Sequence, residues 1–559
     1  MPELKRLICL CACLLFVPVP LQANPPSRQQ PPQAAIASAH PLATRAGFEI
    51  LKKGGNVFDA AVAVSAALAV VEPSGSGLGG GGYWLLHRAG DGFETVIDGR
   101  EKAPFAARKG MFLNHPNASI DGPLAAAIPG MPAALAHLSE RYGRLPLAES
   151  LAPAIRHAEN GFAAGRKFHK LLGMRQQVVR RFPSSSRIFL PQGKLPEPFS
   201  ILRQPALANT LKRIAKSGRD GFYRGDIGTK LVNSVRAAGG IWTEADLEAY
   251  RIVERRPVKG EYRGIKITSA APSSSGGLVL IETLNVLSGF DLKRADATTR
   301  KHLIVEAMRR AYHDRALYLG DPDYVHVPVE RLLDKDYAAG LRSTIRLDKA
   351  LPSALLAGET EPEPEGANTT HFSIIDREGN RVAATLSINF PFGSGFVAEG
   401  TGVLLNDEMD DFASSSGSGN VYGLVGGAAN SIQPGKRMLS SMTPTFLENE
   451  RGVAALGTPG GSRIISMVLL AALEYAEGRF PASWVSLPRF HHQYLPDVIQ
   501  YEPGALSETE IKDLVTKGHR LTVTPERYGD MQAVLWSKKT RELNAASDPR
   551  GEGLALVGP

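Results

Sequence analysis

Cysteine is nearly absent from this sequence. The three cysteines of its 559 residues, Cys9, Cys11 and Cys13, crowd at the start of the chain. If that start is removed on export, the remaining chain has no disulfide to rely on, and its core must carry its stability. Long apolar runs are absent too. Beyond the N-terminus no stretch reaches about 18 uninterrupted apolar residues, which excludes a transmembrane helix in the mature chain. The net charge of +8 contains no long Lys/Arg run. That excludes a nucleic-acid partner and leaves a mildly basic enzyme. Histidines do not gather at ligand spacing. His491 and His492 are adjacent, and neighbours point apart in helix and strand alike, so no metal is expected. No internal repeat is present.

What the chain does have is an ordinary globular composition, 43% hydrophobic and 21% charged, with enough length for a large core. Lys5 and Arg6 precede an apolar run over 7–19, broken by Pro18 and Pro20, and Leu21-Gln22-Ala23 offers a cleavage site. Residues 1–23 therefore read as a secretory signal, and the protein as periplasmic or secreted. Leu10-Cys11-Ala12-Cys13 has the look of a lipoprotein signal but sits too early in the run.

Residues 24–40 read as a flexible, Pro- and Gln-rich start. Helices are expected over 43–53 and 57–71, the second apolar all round and so buried. The loop Gly75-Ser76-Gly77-Leu78-Gly79-Gly80-Gly81-Gly82 follows. It lacks the Lys-Ser/Thr of a phosphate loop and follows a helix, so it reads as a structural loop for close backbone packing. Strands are expected over 83–87 and 94–98. The chain from about 120 to 345 reads as mainly helical, most clearly over 298–318, with basic residues opposite its apolar side. Glu359, Glu361, Glu363 and Glu365 alternate with Pro362 and Pro364 in an exposed linker over 352–368. Strands follow over 371–376 and 381–388, around the turn Arg377-Glu378-Gly379-Asn380, and over 401–405, 443–447 and 453–456, then a buried helix over 464–475. Helices, strands and a buried helix imply packed α and β layers.

The most informative stretch is Asn368-Thr369-Thr370-His371-Phe372-Ser373. Threonine is common at strand starts, and a structural role is the default. Cleavage between Asn368 and Thr369, however, would make Thr369 an N-terminus whose hydroxyl and α-amine form a one-residue nucleophile and base. An α-amine titrates near about 7.7–8.0, so a useful fraction is neutral near pH 7.

Several separated motifs occur in one order: Asp59-Ala60-Ala61-Val62-Ala63, Glu72-Pro73-Ser74 with its glycine loop, Asp98-Gly99-Arg100-Glu101, Thr369-Thr370-His371-Phe372-Ser373, Asn406-Asp407-Glu408-Met409-Asp410-Asp411-Phe412, Asn420-Val421-Tyr422-Gly423, Ser440-Ser441-Met442-Thr443-Pro444 and Pro459-Gly460-Gly461-Ser462-Arg463. Together they resemble the γ-glutamyltranspeptidases over nearly the whole mature chain. The resemblance implies an N-terminal-nucleophile hydrolase with an αββα sandwich. It implies a precursor cut into a large subunit (24–368) and a small catalytic subunit (369–559) that remain intertwined as a heterodimer. The implied substrates are glutathione and other γ-glutamyl compounds, with water or an amino-acid or peptide amine as acceptor. No cofactor is implied.

The resemblance also assigns roles. Thr369 is the nucleophile, beside Thr370. Arg100 binds the donor α-carboxylate, a group suited to its two-pronged guanidinium, with Ser440 and Ser441. Asn389, Glu408 and Asp411 accept from the α-ammonium. Gly460 and Gly461 offer N–H groups to the oxyanion. Residues 413–427, with Tyr422, form a lid. Ser387 stands where many members carry threonine, whose hydroxyl bonds to the nucleophile. A glutaryl-cephalosporin acylase is the rival activity on this fold, and Asp411 speaks against it because a glutaryl group has no ammonium. An uncleaved homologue that only binds γ-glutamyl peptides is the remaining alternative.

Overall fold

The computed structural model describes residues 30–113, 115–356, 369–413 and 427–559. Two fully antiparallel sheets stack face to face, with helices on both outer sides. The first contains β1 (Ala34–Ser38), β2 (Gly81–Arg88), β3 (Phe93–Gly99), β4 (Val253–Arg255), β7 (Thr370–Ile375), β8 (Arg381–Ser387) and β13 (Leu554–Gly558), in the order β13-β1-β7-β8-β2-β3-β4. The second contains β5 (Val258–Tyr262), β6 (Ile265–Ser269), β9 (Thr445–Asn449), β10 (Gly452–Gly457), β11 (Gln532–Ser537) and β12 (Leu543–Ser547), in the order β12-β11-β10-β9-β6-β5.

The period-2 alternation of strand side chains builds the layers. In β8, Val382 and Ala384 face outward with Trp84, Leu86 and Phe372. There they meet helices α1 (Pro41–Lys52), α2 (Val57–Val71) and α3 (Met131–Tyr142). Ala383 faces inward and joins Tyr83, Leu85 and Val96 against Phe446 and Ala455 of the second sheet. The outer face of that sheet, with Ile267, Leu447 and Leu456, packs on α4 (Gly276–Leu287), α5 (Ala297–Tyr318) and α6 (Arg463–Ala476). The molecule is thus a four-layer αββα sandwich.

Local chemistry explains individual elements. Asn56 caps α2 by accepting from Phe58 N and Asp59 N, while Asp59 reaches back to Asn56 N. Every residue of α2 is buried, as its composition requires. At the expected turn between β7 and β8, Asp376 accepts from Glu378 N and Asn380 N and fixes the hairpin.

Three expectations need correction. Ala34–Ser38 is not part of a flexible start: it is a buried strand between β7 and β13. The stretch read as helical contains β4, β5 and β6 over 253–269; these strands are short, and their charged residues hide the alternation. Over 401–405 only Val403–Leu404 is strand. The signal segment, Asn368 with most of the acidic linker, and Tyr422 with residues 414–426 lie outside the described residues. Among the described residues, no helix is long and apolar enough to cross a membrane.

Candidate active site

Thr369 directly precedes β7, and the β7–β8 register pairs Thr370 with Leu386. That register sets Thr369 level with Ser387. Thr369 is buried and lines a narrow cavity. Arg100, Ser387, Asn389, Glu408, Asp411, Ser440, Ser441 and Gly461 line the same cavity. Eight of the expected positions therefore share one small space with Thr369. Two do not. Gly460 lies beside it, with a hypothetical Cβ 2.5 Å from Met467 Cε. Thr370 is not among the residues lining the cavity, and its buried Oγ1 has no hydrogen-bond partner among the described residues.

The expected hydroxyl link from Ser387 takes another form. No hydrogen bond joins Ser387 to Thr369; Ser387 Oγ accepts from Asn389 N at 2.7 Å. That bond supports a residue held at φ +71°, which is uncommon outside glycine. Asn389 Nδ2 donates to the Asp407 carbonyl at 3.2 Å.

Gly460 and Gly461 follow β10 and precede α6, with φ values of +141° and +56°. Their carbonyls accept from Arg463 N and Ile464 N, the first turn of the helix. Neither glycine N–H is spent on another described residue, so both are available to an oxyanion.

At the far end, Arg100 leaves β3 into full burial. Its N–H donates to Asp98 Oδ1 at 3.0 Å and its carbonyl accepts from Tyr250 OH at 2.8 Å. Nη1 donates to Glu408 Oε2 and Nη2 to Asp411 Oδ2, both at 2.5 Å. Burial opposes the Arg100 charge, but Glu408, Asp411 and Glu101 outweigh it and hold its pKa well above the usual value. Burial pushes the Glu408 carboxyl well up; Arg100 pulls against this, while Glu101 and Asp411 add to it. Glu408 Oε1 is buried with no hydrogen-bond partner among the described residues.

Several positioning residues were not foreseen. Asn406 Oδ1 accepts from Ala127 N and Glu408 N, and its Nδ2 donates to the carbonyls of Gly79 and Ala127. This clamps the turn Glu408–Asp411 to the glycine loop. Asn430 Nδ2 donates to the Asp411 carbonyl, and its Oδ1 accepts from Leu439 N. It thereby ties the acidic turn to the serine pair. Ser440 Oγ accepts from Met442 N at 3.1 Å, and Arg315 Nη2 donates to Ser441 Oγ at 3.2 Å. Arg315 was placed with the basic residues opposite the apolar side of its helix, yet Arg309, Arg310 and Arg315 are all buried. Its spacing from Ile304, Met308 and Ala311 puts it on the helical apolar stripe, and that charge out of place was the available signal.

His491 and His492 are buried and separately engaged, His491 with Ser466 and Gln493, His492 with Asp497. His302, Glu306 and His519 do bring ligand atoms within 4.8 Å of one another. Glu306, however, is held by Arg309 and Arg310, His302 Nε2 faces the Arg346 carbonyl, and His302 Nδ1 faces His519 Nε2. Two guanidinium groups on the one carboxylate make this an ion-paired cluster hostile to a further cation.

Comparison with known proteins gives the family. The glutathione hydrolase proenzyme of Pseudomonas sp. (strain A14) is 42% identical, with 93% of each chain covered. The glutathione hydrolase proenzyme of Escherichia coli (strain K12) is 41% identical, covering 93% of this chain and 90% of that one. Among solved structures, the cephalosporin acylase from Bacillus halodurans superposes with a TM-score of 0.82 at 29% identity, covering 97% of this chain and 99% of that one. The family model described as gamma-glutamyltranspeptidase matches residues 43–558, and the chain belongs to the γ-glutamyltranspeptidase family.

Proposed function

We propose that this protein is a self-processing γ-glutamyltransferase and glutathione hydrolase with Thr369 as its nucleophile. The observation that carries the reading is the shared cavity: one buried threonine hydroxyl faces a pocket holding a guanidinium and two carboxylates. A γ-glutamyl donor is zwitterionic at its α-carbon, so its site must present both signs of charge.

Processing comes first. The Thr369 hydroxyl attacks the carbonyl carbon of Asn368, the peptide nitrogen becomes the α-amine, and water hydrolyses the resulting ester. The chain divides into 24–368 and 369–559. Both pieces contribute to both sheets: β1 to β6 come from the first and β7 to β13 from the second. The cut pieces therefore stay together as a heterodimer without a covalent link. The two proenzyme relatives support such a maturation.

In the mature enzyme the α-amine takes the proton as the Thr369 hydroxyl attacks the donor γ-carbonyl. The Gly460 and Gly461 N–H groups receive the oxyanion, and the amine returns its proton to the leaving nitrogen. A γ-glutamyl ester remains. Water releases glutamate, or an acceptor amine carries the acyl group away. Arg100, Ser440 and Ser441 hold the donor carboxylate; Asn389, Glu408 and Asp411 hold its ammonium. Thr370 borders the nucleophile. Residues 1–23 direct export, so the reaction takes place in the periplasm or outside the cell.

A glutaryl side chain, the donor of the rival acylase reading, has no ammonium for Glu408 and Asp411 to receive. The test is mass measurement and N-terminal sequencing of the purified protein under denaturing conditions, with a glutathione hydrolysis assay. The expected result is two chains, the smaller starting at Thr369, and glutamate release. Thr369→Ala gives one uncut, inactive chain; a processed or active Thr369→Ala protein overturns the nucleophile.

A further inference from the structure

The pocket contains a second buried cation. Arg315, near the end of α5, is 4% exposed and lines the cavity with Thr369, Asp411 and Ser441. Its Nε donates to Ser275 Oγ at 3.0 Å and its Nη2 to Ser441 Oγ at 3.2 Å. Both partners are neutral. Buried charges are ordinarily ion-paired, and the neighbouring arginines of the helix obey this: Arg309 meets Glu306 and Asp497, and Arg310 meets Glu306. Arg315 forms no ion pair with a carboxylate among the described residues. Burial pulls its pKa down to about 10, with Tyr312 and Asp411 pulling the other way, so it stays charged near neutral pH.

Geometry gives this cation a purpose. Both terminal nitrogens of Arg100 are already engaged, Nη1 with Glu408 and Nη2 with Asp411, each at 2.5 Å. A donor adds one ammonium and one carboxylate. Arg315 presents a further guanidinium to that carboxylate on the side where Ser440 and Ser441 stand.

Hydrogen-bond direction adds a second argument. A guanidinium only donates. Ser441 Oγ, accepting from Arg315, keeps its own proton for another partner. Ser440 Oγ, accepting from Met442 N, does the same. Ser275 Oγ also accepts from Arg315 and passes its proton to the Ser440 carbonyl at 2.7 Å, which fixes the serine pair to the helix. Both serine hydroxyls are thus left as donors.

We propose that Arg315 is a positioning residue of the donor site: it orients Ser441 as a hydrogen-bond donor and provides the counter-charge for the donor's α-carboxylate. The proposal rests on the γ-glutamyl reading above.

The test compares wild type with Arg315→Gln on γ-glutamyl-p-nitroanilide, using L-glutamate and 4-aminobutyrate as competitive inhibitors. The two inhibitors share the ammonium and γ-carboxylate; only glutamate has the α-carboxylate. In Arg315→Gln, KM and the glutamate inhibition constant rise about 30-fold, kcat falls less, and the 4-aminobutyrate constant moves less than about threefold. A parallel weakening of both inhibitors means that Arg315 only supports the fold, and it overturns the proposal. Arg315→Lys keeps the charge but cannot grip Ser275 and Ser441 together, so selectivity for glutamate falls by about threefold to tenfold. This milder variant decides the matter if Arg315→Gln does not mature, and unchanged selectivity in it is equally fatal. A processed wild type that leaves the γ-glutamyl anilide intact overturns the γ-glutamyl reading itself, before any variant is compared.

Discussion

Gly80 packs so tightly on Ser387 that a Cβ at Gly80 would stand 2.0 Å from the Ser387 carbonyl oxygen. Gly80 is also tied elsewhere, since its carbonyl accepts from Gly130 N and Met131 N at the head of α3. It cannot retreat without disturbing that helix. Gly80→Ala should therefore push the end of β8 away and cost about 3 kcal/mol. Thermal unfolding and the fraction of processed chain measure this. A variant that matures and melts like wild type would show that the loop is not what holds Ser387.

Ser387 acts on Asn389 rather than on the nucleophile. Removing its hydroxyl takes from the Asn389 N–H an acceptor at 2.7 Å and frees a left-handed backbone to relax. Ser387→Ala should lower kcat/KM for γ-glutamyl donors by about tenfold. Ser387→Thr keeps the acceptor and adds a χ1 restraint suited to a strand, so its kcat/KM should stay within about threefold of wild type. Equal losses in the two variants would argue against the hydroxyl as the operative group.

Much of this site was legible because its chemistry is concentrated in short motifs. Thr369, Arg100, Glu408, Asp411 and the two serines are separated widely in sequence, yet each sits at the end of a strand or in a tight turn that its own motif specifies. The outer helices were legible from apolar period, and β7 and β8 from alternation and the turn between them. The partners were less so. Arg315 and Asn430 act through contacts between distant segments, and nothing local to either residue announces Ser441 or Leu439. Ala34–Ser38 carries no strand signal beyond small apolar residues; it is a strand because β7 and β13 flank it. The register sets Thr369 opposite Ser387, but only the structure shows that the Ser387 hydroxyl accepts from Asn389 N, two residues along the chain.

Asp411 meets Arg100 on one side and is 13% exposed toward the cavity. Asp411→Asn keeps the shape and removes the charge that an α-ammonium requires. Its kcat/KM for γ-glutamyl donors should fall about 100-fold, while stability changes by about 1–2 kcal/mol, because Glu408 still pairs with Arg100. Steady-state kinetics and chemical denaturation separate the two effects. Unchanged glutathione kinetics would remove Asp411 from the ammonium site.

Glu101 follows Arg100 into full burial, with Oε2 3.5 Å from the Arg100 guanidinium and Oε1 without a partner among the described residues. Burial raises its pKa to about 7 from 4.5; Arg100 opposes the rise, and Asp411 and Asp98 contribute to it. Between those two values the folded chain holds a proton that the unfolded chain has released. Stability contributed by that proton is full below about pH 4.5, declines as pH rises toward 7, and is gone above it. Glu101→Gln has no such proton to lose and keeps a neutral side chain of the same shape. Denaturation of the processed enzymes from about pH 5 to about pH 8 should therefore show wild type losing ground to Glu101→Gln as pH rises, with the gap levelling off near neutrality. A gap that does not change with pH would mean that Glu101 is ionised throughout beside the Arg100 guanidinium.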